Sequence, residues 1–288
     1  MTETAAATAI LLVSAPDRKG LVARLADFLY RRNANILHAD QHQDAESGLF
    51  LMRVEWDLRG FDLDLADFPG AFQPLAEELQ LTWRLETSGE LQRVAVFVSR
   101  QDHCLADLLY RHRSGELRCD LRLVISNHEN ACELARFYGI PFHHIPVTPD
   151  TKAEAERQQL ALLAEHQIDL VVLARYMQIL SPSFVACFPQ RIINVHHSFL
   201  PAFSGARPYH RAYERGVKLI GATAHYVTEI LDDGPIIEQD VIRISHRDQV
   251  QDLIQKGRDL EKLVLSRAVR WHLEHRILVY GKKTVIFD

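Results

Sequence analysis

Cysteine and long apolar runs are both scarce in this 288-residue sequence. Its four cysteines contain no C-x-x-C pair, which argues against a disulfide framework and against a cysteine zinc site. No stretch reaches the roughly 18 consecutive apolar residues of a membrane span. No basic residue precedes the first apolar run, so a secretory signal is not indicated. We therefore expect a cytoplasmic protein with reduced thiols and no membrane partner.

Basic residues are also fewer than acidic ones. Lysine and arginine number 33 against 38 acidic residues, which gives a formal net charge of −5. Because binding to a polyanion needs clustered positive charge, we expect no nucleic-acid partner. A hydrophobic fraction of 47% with 25% charged residues is typical of a globular chain with a substantial core.

Residues 8–86 follow the order strand, helix, strand, strand, helix, strand, which predicts a ferredoxin-like α+β domain with an antiparallel sheet. The first helix has an apolar stripe that includes Leu21, Leu25 and Phe28, and Asp17 is positioned to be its N-cap. A short polar stretch at residues 87–90 predicts a linker to a second domain.

The segment APDRKG at residues 15–20 and the run NANI at residues 33–36 resemble the ACT domain family. The resemblance implies an amino-acid effector site at a dimer interface, near Asp17, Gly20, Asn35 and Ile36. The alternative is that Asp17 only caps a helix and the domain only supports oligomerisation. Edge strands of ferredoxin-like sheets pair readily, so we expect a homo-oligomer.

Residues 91–288 alternate strands dense in valine, leucine and isoleucine with helices, which predicts a Rossmann-like α/β domain with a mostly parallel sheet. A long helix from about Val250 to His275 and a final hairpin complete the chain. Ligands of such sheets bind at the carboxyl ends of the strands.

One predicted strand ends in Asn194-Val195-His196, so Asn194 and His196 project from the same face. Pro201 and the segment 205–208 stop this strand. A second apolar segment carries His225 and leads to Asp232. An amide, an imidazole and a carboxylate suit chemistry at a carbonyl, because the first two stabilise negative charge on oxygen and the third handles a proton. Taken singly, each has an ordinary structural alternative, such as a turn hydrogen bond.

Asn194-x-His196, the turn Ser198-Phe199-Leu200-Pro201 and Asp232-Asp233-Gly234 resemble the folate-dependent formyltransferase fold. The resemblance implies a 10-formyl-tetrahydrofolate substrate and catalytic roles for Asn194, His196 and Asp232. It places the following residues in substrate binding: Met177, Gln178, Ile179, Leu180, Ser198 and His225. We expect no cofactor, and no metal either, because the histidines lack H-E-x-x-H spacing.

The loop Ser99–Cys104 indicates which molecule attacks the formyl carbon. Relatives that formylate a ribonucleotide carry a glycine-rich phosphate-binding loop there, whereas this loop has no glycine and Asp102 would repel a phosphate. Water is then the simplest nucleophile. The two-domain pairing, His197 and the segment GARPYH at residues 205–210 resemble the formyltetrahydrofolate deformylase family.

That resemblance implies hydrolysis of the formyl C–N bond to give formate and tetrahydrofolate, which supplies formate for purine biosynthesis and balances one-carbon folates. Two alternatives stay open at this point. One is a folate-dependent formyltransferase, of which the type that acts on methionyl-tRNA would need a basic RNA-binding appendage. The other is a non-catalytic sensor of folate or an amino acid.

Overall fold

The computed structural model describes residues 7–201 and 208–287, so residues 205–207 of the GARPYH segment lie outside the described chain. The chain divides into two compact units. One comprises the chain up to Glu90 together with Glu274–Leu278 and the stretch from Val285 onward. The other comprises Leu91–Leu273 and Val279–Thr284.

The first unit has the predicted ferredoxin-like order. Its elements are β1 (Thr8–Pro16), α1 (Leu21–Tyr30), β2 (Asn35–Asp44), β3 (Leu49–Asp57), α2 (Phe68–Leu79) and β4 (Thr82–Thr87). The sheet is antiparallel with the strand order β2-β3-β1-β4. Alternate residues of β1 and β3 share one core with α1 and α2, in which Trp56, Phe68 and Phe72 are fully buried. Apolar side chains repeat every 2 residues along these strands and every 3.6 residues along these helices, so each element buries one apolar face in the common core.

Two segments from the end of the chain belong to this first unit. The predicted domain ranges, 8–86 and 91–288, assign these segments to the second domain instead. Arg53 on β3 donates from Nε to the carbonyl of His275 at 3.0 Å. Arg84 on β4 donates to the carbonyl of Ile277 at 2.7 Å. Buried Arg53 and exposed Arg84 thus bind carbonyls of a segment that is distant in sequence.

The prediction that Asp17 is the N-cap of α1 is wrong. Gly20 occupies that position with φ 94°, a left-handed conformation that suits glycine. The Asp17 carboxylate instead accepts a hydrogen bond from Gln43 Nε2 at 2.5 Å. Asp17 therefore ties the loop after β1 to the end of β2.

The second unit is the predicted α/β domain. Its elements are β5 (Arg93–Val98), α3 (His103–Ser114), β6 (Asp120–Ser126), α4 (Cys132–Phe137), β7 (Phe142–His144), α5 (Lys152–Glu165), β8 (Leu170–Ala174), α6 (Pro182–Ala186), β9 (Ile192–His196), α7 (Pro208–Arg215), β10 (Leu219–Tyr226), β11 (Ile236–Arg243) and α8 (Val250–Leu273). A terminal hairpin of β12 (Ile277–Tyr280) and β13 (Lys283–Ile286) follows. Within the described ranges, no helix is long and apolar enough to cross a membrane.

The seven-stranded sheet of this unit has the order β11-β10-β9-β8-β5-β6-β7. The strands from β9 to β7 are parallel, whereas β10 is antiparallel to both of its neighbours. All five residues of β8 are buried, as expected for a strand covered on both faces.

Strand register determines which side chains meet at the edge of this sheet. Leu173 of β8 pairs with Asn194 of β9, and Asn194 pairs with His225 of β10. The ends of β8 and β9 and the last residues of β10 therefore lie side by side. This edge is the carboxyl end of the parallel strands, where open α/β sheets bind ligands.

Candidate active site

A cavity of about 290 Å³ opens at this edge of the second unit. The predicted catalytic residues Asn194, His196 and Asp232 all line it, and so does His225. The predicted substrate-binding run from Met177 to Leu180 also lies in its wall. Ser198 does not: it is buried, and its carbonyl accepts a hydrogen bond from the Thr223 hydroxyl at 2.8 Å.

Asp232 stands between two histidines. Its Oδ2 lies 3.3 Å from Nδ1 of His196, and its Oδ1 lies 3.7 Å from Nε2 of His225. Burial raises the pKa of the Asp232 carboxyl, but the hydrogen bonds and charges of the two histidines outweigh burial and hold that pKa well below its usual value. Asp232 is therefore ionised throughout the physiological pH range.

The hydrogen bonds of His225 indicate its tautomer and leave one amide hydrogen of Asn194 free for a ligand. Nδ1 of His225 lies 2.9 Å from the carbonyl of Tyr226, which can only accept, so Nδ1 carries the hydrogen. When the ring is neutral, Nε2 accepts a hydrogen bond from Asn194 Nδ2 at 3.2 Å; when the ring is protonated, Nε2 faces the Asp232 carboxylate 3.7 Å away as a donor. The Asn194 amide carries a second hydrogen, which has room to point at a carbonyl oxygen in the cavity.

The two histidines in sequence after Asn194 differ in their surroundings. His196 uses Nδ1 toward Asp232, while its buried Nε2 finds no partner among the described residues. Burial, with a smaller contribution from the Arg175 charge, lowers the pKa of His197 to about 3, so this neighbouring ring is neutral at pH 7. His196 thus offers a buried, unused ring nitrogen in the cavity wall.

Exposed apolar side chains form the mouth of the cavity. Met177 is 58% and Ile230 is 65% exposed, and Ile179 and Leu231 are similarly accessible. The backbone N–H of Met177 donates to Ser99 Oγ at 3.0 Å, and Ser99 in turn donates to Asn127 at 2.7 Å. These bonds hold the start of the Met177–Leu180 segment in place, and its exposed side chains give this wall an apolar surface.

Several lining residues were not predicted from the sequence. The run from Val227 to Leu231 leads from β10 to Asp232 and contributes the second apolar wall. The only sequence signal for it is the apolar pair Ile230-Leu231 within a polar loop. His197 also lines the cavity, as does Arg175, the first residue of the stretch 175–180 that resembles the family's pterin-holding segment.

Comparisons with known proteins identify the family of the chain. A family model described as formyl transferase matches residues 92–269, and one described as ACT domain matches residues 9–67. A formyltetrahydrofolate deformylase of Synechocystis sp. is 61% identical over 280 residues, which covers 97% of this chain and 98% of that protein. The chain belongs to the formyltetrahydrofolate deformylase family.

Two further members of the deformylase family support the same conclusion. The formyltetrahydrofolate deformylase of Bacillus subtilis is 51% identical over 96% of this chain and 93% of its own length. A crystal structure of a formyltetrahydrofolate deformylase from Pseudomonas syringae pv. tomato matches with a TM-score of 0.96 at 49% identity, covering 100% of this chain and 96% of the other.

One cluster of side chains in the described chain has metal-ligand geometry. The ligand atoms of His103, Cys104 and Glu261 lie within 4.8 Å of one another. The Glu261 carboxylate, however, already accepts hydrogen bonds from Tyr209 at 2.5 Å and His103 at 2.7 Å, and the Arg175 guanidinium lies 3.5 Å from it. The neighbouring cation and the occupied oxygens make this cluster a hydrogen-bonded ion network.

The four predicted effector residues lie in the first unit, and the fold separates them into two pairs. Asp17 and Gly20 line a cavity between the start of α1 and the end of β2. Asn35 and Ile36 begin β2, so they lie at the opposite end of that strand, roughly 20–25 Å from Gln43 at about 3.3 Å per residue. Within one copy of the chain, the structure does not bring the two pairs together.

Gly234 has no room for a side chain at the turn that carries Asp232. A Cβ atom there would lie 1.7 Å from the Tyr226 carbonyl oxygen, which also holds His225. We expect Gly234→Ala to lower the free energy of unfolding by about 1–3 kcal/mol, the usual effect of overpacking, and to reduce turnover. Urea denaturation and steady-state kinetics measure these effects.

Gly70→Ala is the matched control, because no atom of the described residues beyond its own helix backbone and chain neighbours lies within 4 Å of its Cβ position on α2. There the same change should be neutral or stabilising by up to about 1 kcal/mol. Equal stability and turnover of the Gly234 variant and the wild type would contradict the role given to this close contact.

Proposed function

We propose that this chain hydrolyses 10-formyl-tetrahydrofolate to formate and tetrahydrofolate, with Asn194, His196 and Asp232 as the catalytic residues. The observation that carries the proposal is an ionised Asp232 held between two histidines in a cavity with apolar walls. The likeness to deformylases over nearly the whole chain supports the same substrate and reaction.

In the proposed reaction, water attacks the formyl carbon and the C–N10 bond breaks. The carbonyl oxygen takes on negative charge as the new C–O bond forms. The free amide hydrogen of Asn194 and a protonated His196 Nε2 donate to that oxygen, since preorganised donors are most effective where charge develops. The attacking water loses a proton and the departing N10 gains one, so the products are formate, tetrahydrofolate and one proton released to solvent.

Asp232 orients His196 and the water and relays the proton. Its lowered pKa makes the Asp232 carboxylate a weak base, because an efficient general base has a pKa near the working pH. The carboxylate therefore acts mainly by stabilising the protonated form of His196, and it holds the proton of the water only transiently before N10 takes it.

The loop Ser99–Cys104 supports water over an amine acceptor as the nucleophile. Two of its polar side chains are engaged within the protein: Gln101 accepts from Arg175 at 2.9 Å, and His103 lies 2.7 Å from Glu261. A phosphate-bearing acceptor would have to displace these contacts. The presence of the whole catalytic set also favours an enzyme over a sensor.

We expect Asp232→Asn and His196→Ala each to lower the rate of formate release by roughly 100- to 10,000-fold, while folate binding stays largely intact. The rate is measured as formate released from 10-formyl-tetrahydrofolate, with and without a candidate amine acceptor. Folate affinity is measured by calorimetry with tetrahydrofolate.

Asp233→Asn provides the matched control for the loss of charge. Asp233 follows Asp232 directly, but its carboxylate binds Lys282 at 2.5 Å and does not line the cavity. This variant should retain turnover. Unchanged turnover of the Asp232 variant, or formyl transfer to the acceptor in place of formate release, would overturn the proposal.

We further propose that the first unit binds an amino acid and supports a homo-oligomer. The ACT match and the cavity beside Asp17 support the first part. Strand β2 supports the second, because it is an edge strand with nine of ten residues exposed. Antiparallel pairing of β2 with a second copy would bring Asn35 and Ile36 of that copy toward Asp17 and Gly20.

Calorimetric titration with glycine and methionine tests the effector site. Asp17 would receive the ammonium group, so Asp17→Asn should weaken binding about 10-fold or more. Asp27→Asn is the control, since Asp27 pairs with Arg31 on the exposed side of α1. Equal affinities of the two variants would remove Asp17 from the site.

Light scattering in solution tests the assembly. We expect a mass that is a multiple of the 33.0 kDa chain. A monomer at micromolar concentration would overturn the homo-oligomer. The cytoplasmic location, the absence of a cofactor and the contribution to purine biosynthesis stay predictions.

A further inference from the structure

Arg175 lies beside the catalytic residues but has no part in the reaction described above. It directly follows β8, which pairs with the strand that carries Asn194, and it lines the same cavity. Its backbone has φ 63°, in the left-handed region that non-glycine residues rarely adopt. Such conformations persist where the surroundings enforce them, and they cluster at functional sites.

The Arg175 guanidinium has more donors than acceptors around it. The side chain is only 8% exposed, and Nη2 donates to Gln101 at 2.9 Å. Nε and Nη1 are buried and find no hydrogen-bond acceptor among the described residues. Glu261 lies 3.5 Å from Nε, beyond good hydrogen-bond distance. A buried polar group without a partner is costly, so these two nitrogens point to a missing acceptor.

The charge of the cavity indicates what that acceptor is. Arg175 is the only lysine or arginine among the described residues that line it, whereas Asp232 and Glu229 contribute carboxylates. Hydrolysis of a formyl group would create a second anion, formate, next to Asp232. Like charges at short range in a buried site repel strongly. A desolvated guanidinium with spare N–H groups is the side chain best suited to bind such a carboxylate.

We infer that Arg175 forms a binding subsite for formate, a small monocarboxylate, within the active-site cavity. This inference rests on the proposed function, which makes formate a product. The subsite would draw the product carboxylate away from Asp232 before release. The competing explanation is that Arg175 only neutralises the buried Glu261 carboxylate.

The test uses the full-length protein and formate alone, without any folate. Binding of ¹³C-labelled formate is followed by NMR titration of the wild type and of Arg175→Gln. We expect the variant to bind formate 10- to 100-fold more weakly, the usual effect of losing a charged hydrogen bond. Arg100→Gln, which removes one positive charge from an exposed position on the adjacent loop, should bind formate like the wild type.

A second measurement does not depend on whether the variant folds. Formate added to wild-type protein with ¹⁵N-labelled arginine should shift one buried Nε–H resonance, which Arg175→Lys should lack. No arginine shift at saturating formate, or no saturable formate binding by the wild type, would overturn the inference. Equal formate affinities of the wild type and a folded Arg175→Gln variant would also overturn the inference. The role of Arg175 would then be only to neutralise the Glu261 carboxylate.

These outcomes are separable from those of the proposed reaction. If the protein binds formate through Arg175 but releases none from 10-formyl-tetrahydrofolate, the proposed reaction is wrong and the proposed subsite stands. Normal hydrolysis with no formate binding would contradict the subsite and retain the reaction.

Discussion

The rest of the active site depends on one largely buried carboxylate, that of Asp232, whose side chain is 12% exposed and lies between two histidines. Removing a charge from water costs several kcal/mol unless partners replace the lost solvation. His196 and His225 are those partners, and they come from adjacent antiparallel strands whose register places them together. The turn that carries Asp232 holds it at φ 56°, another left-handed non-glycine position. Sheet register and turn geometry thus both serve to fix this charge before a ligand arrives.

A second buried carboxylate, that of Glu261, organises the neighbouring side of the site. It accepts hydrogen bonds from Tyr209 and His103, and Arg175 lies beside it. Burial raises the pKa of Glu261, but these donors and the Arg175 charge reverse the effect and lower it. The ring of His197 stands between the two centres, with its centroid 5.1 Å from that of His196 and 6.0 Å from that of Tyr209. Fixed donors and charges of this kind need little reorganisation during a reaction.

Much of the fold could be predicted from the sequence, because the apolar periods of strands and helices are local signals. The common face of Asn194 and His196 followed from their spacing along a strand. Family motifs were needed to add Asp232, since nothing local indicates that a turn residue meets a distant histidine. Arg175 and Glu261 could not be paired at all, because their contact exists only after α8, which carries Glu261, packs against β9, β10 and α3. The wrong N-cap prediction for Asp17 has a simpler cause: the acidic residue is a preferred cap, but Gly20 could adopt the conformation required one turn later.

The most direct test of this account is a crystal structure of the protein with a folate analogue whose formyl group resists hydrolysis. The account predicts the formyl oxygen about 2.7–3.1 Å from both Asn194 Nδ2 and His196 Nε2, with a water molecule between Asp232 and the formyl carbon. A formyl group directed away from these atoms, or a pterin ring bound outside the Met177–Leu180 wall, would contradict it.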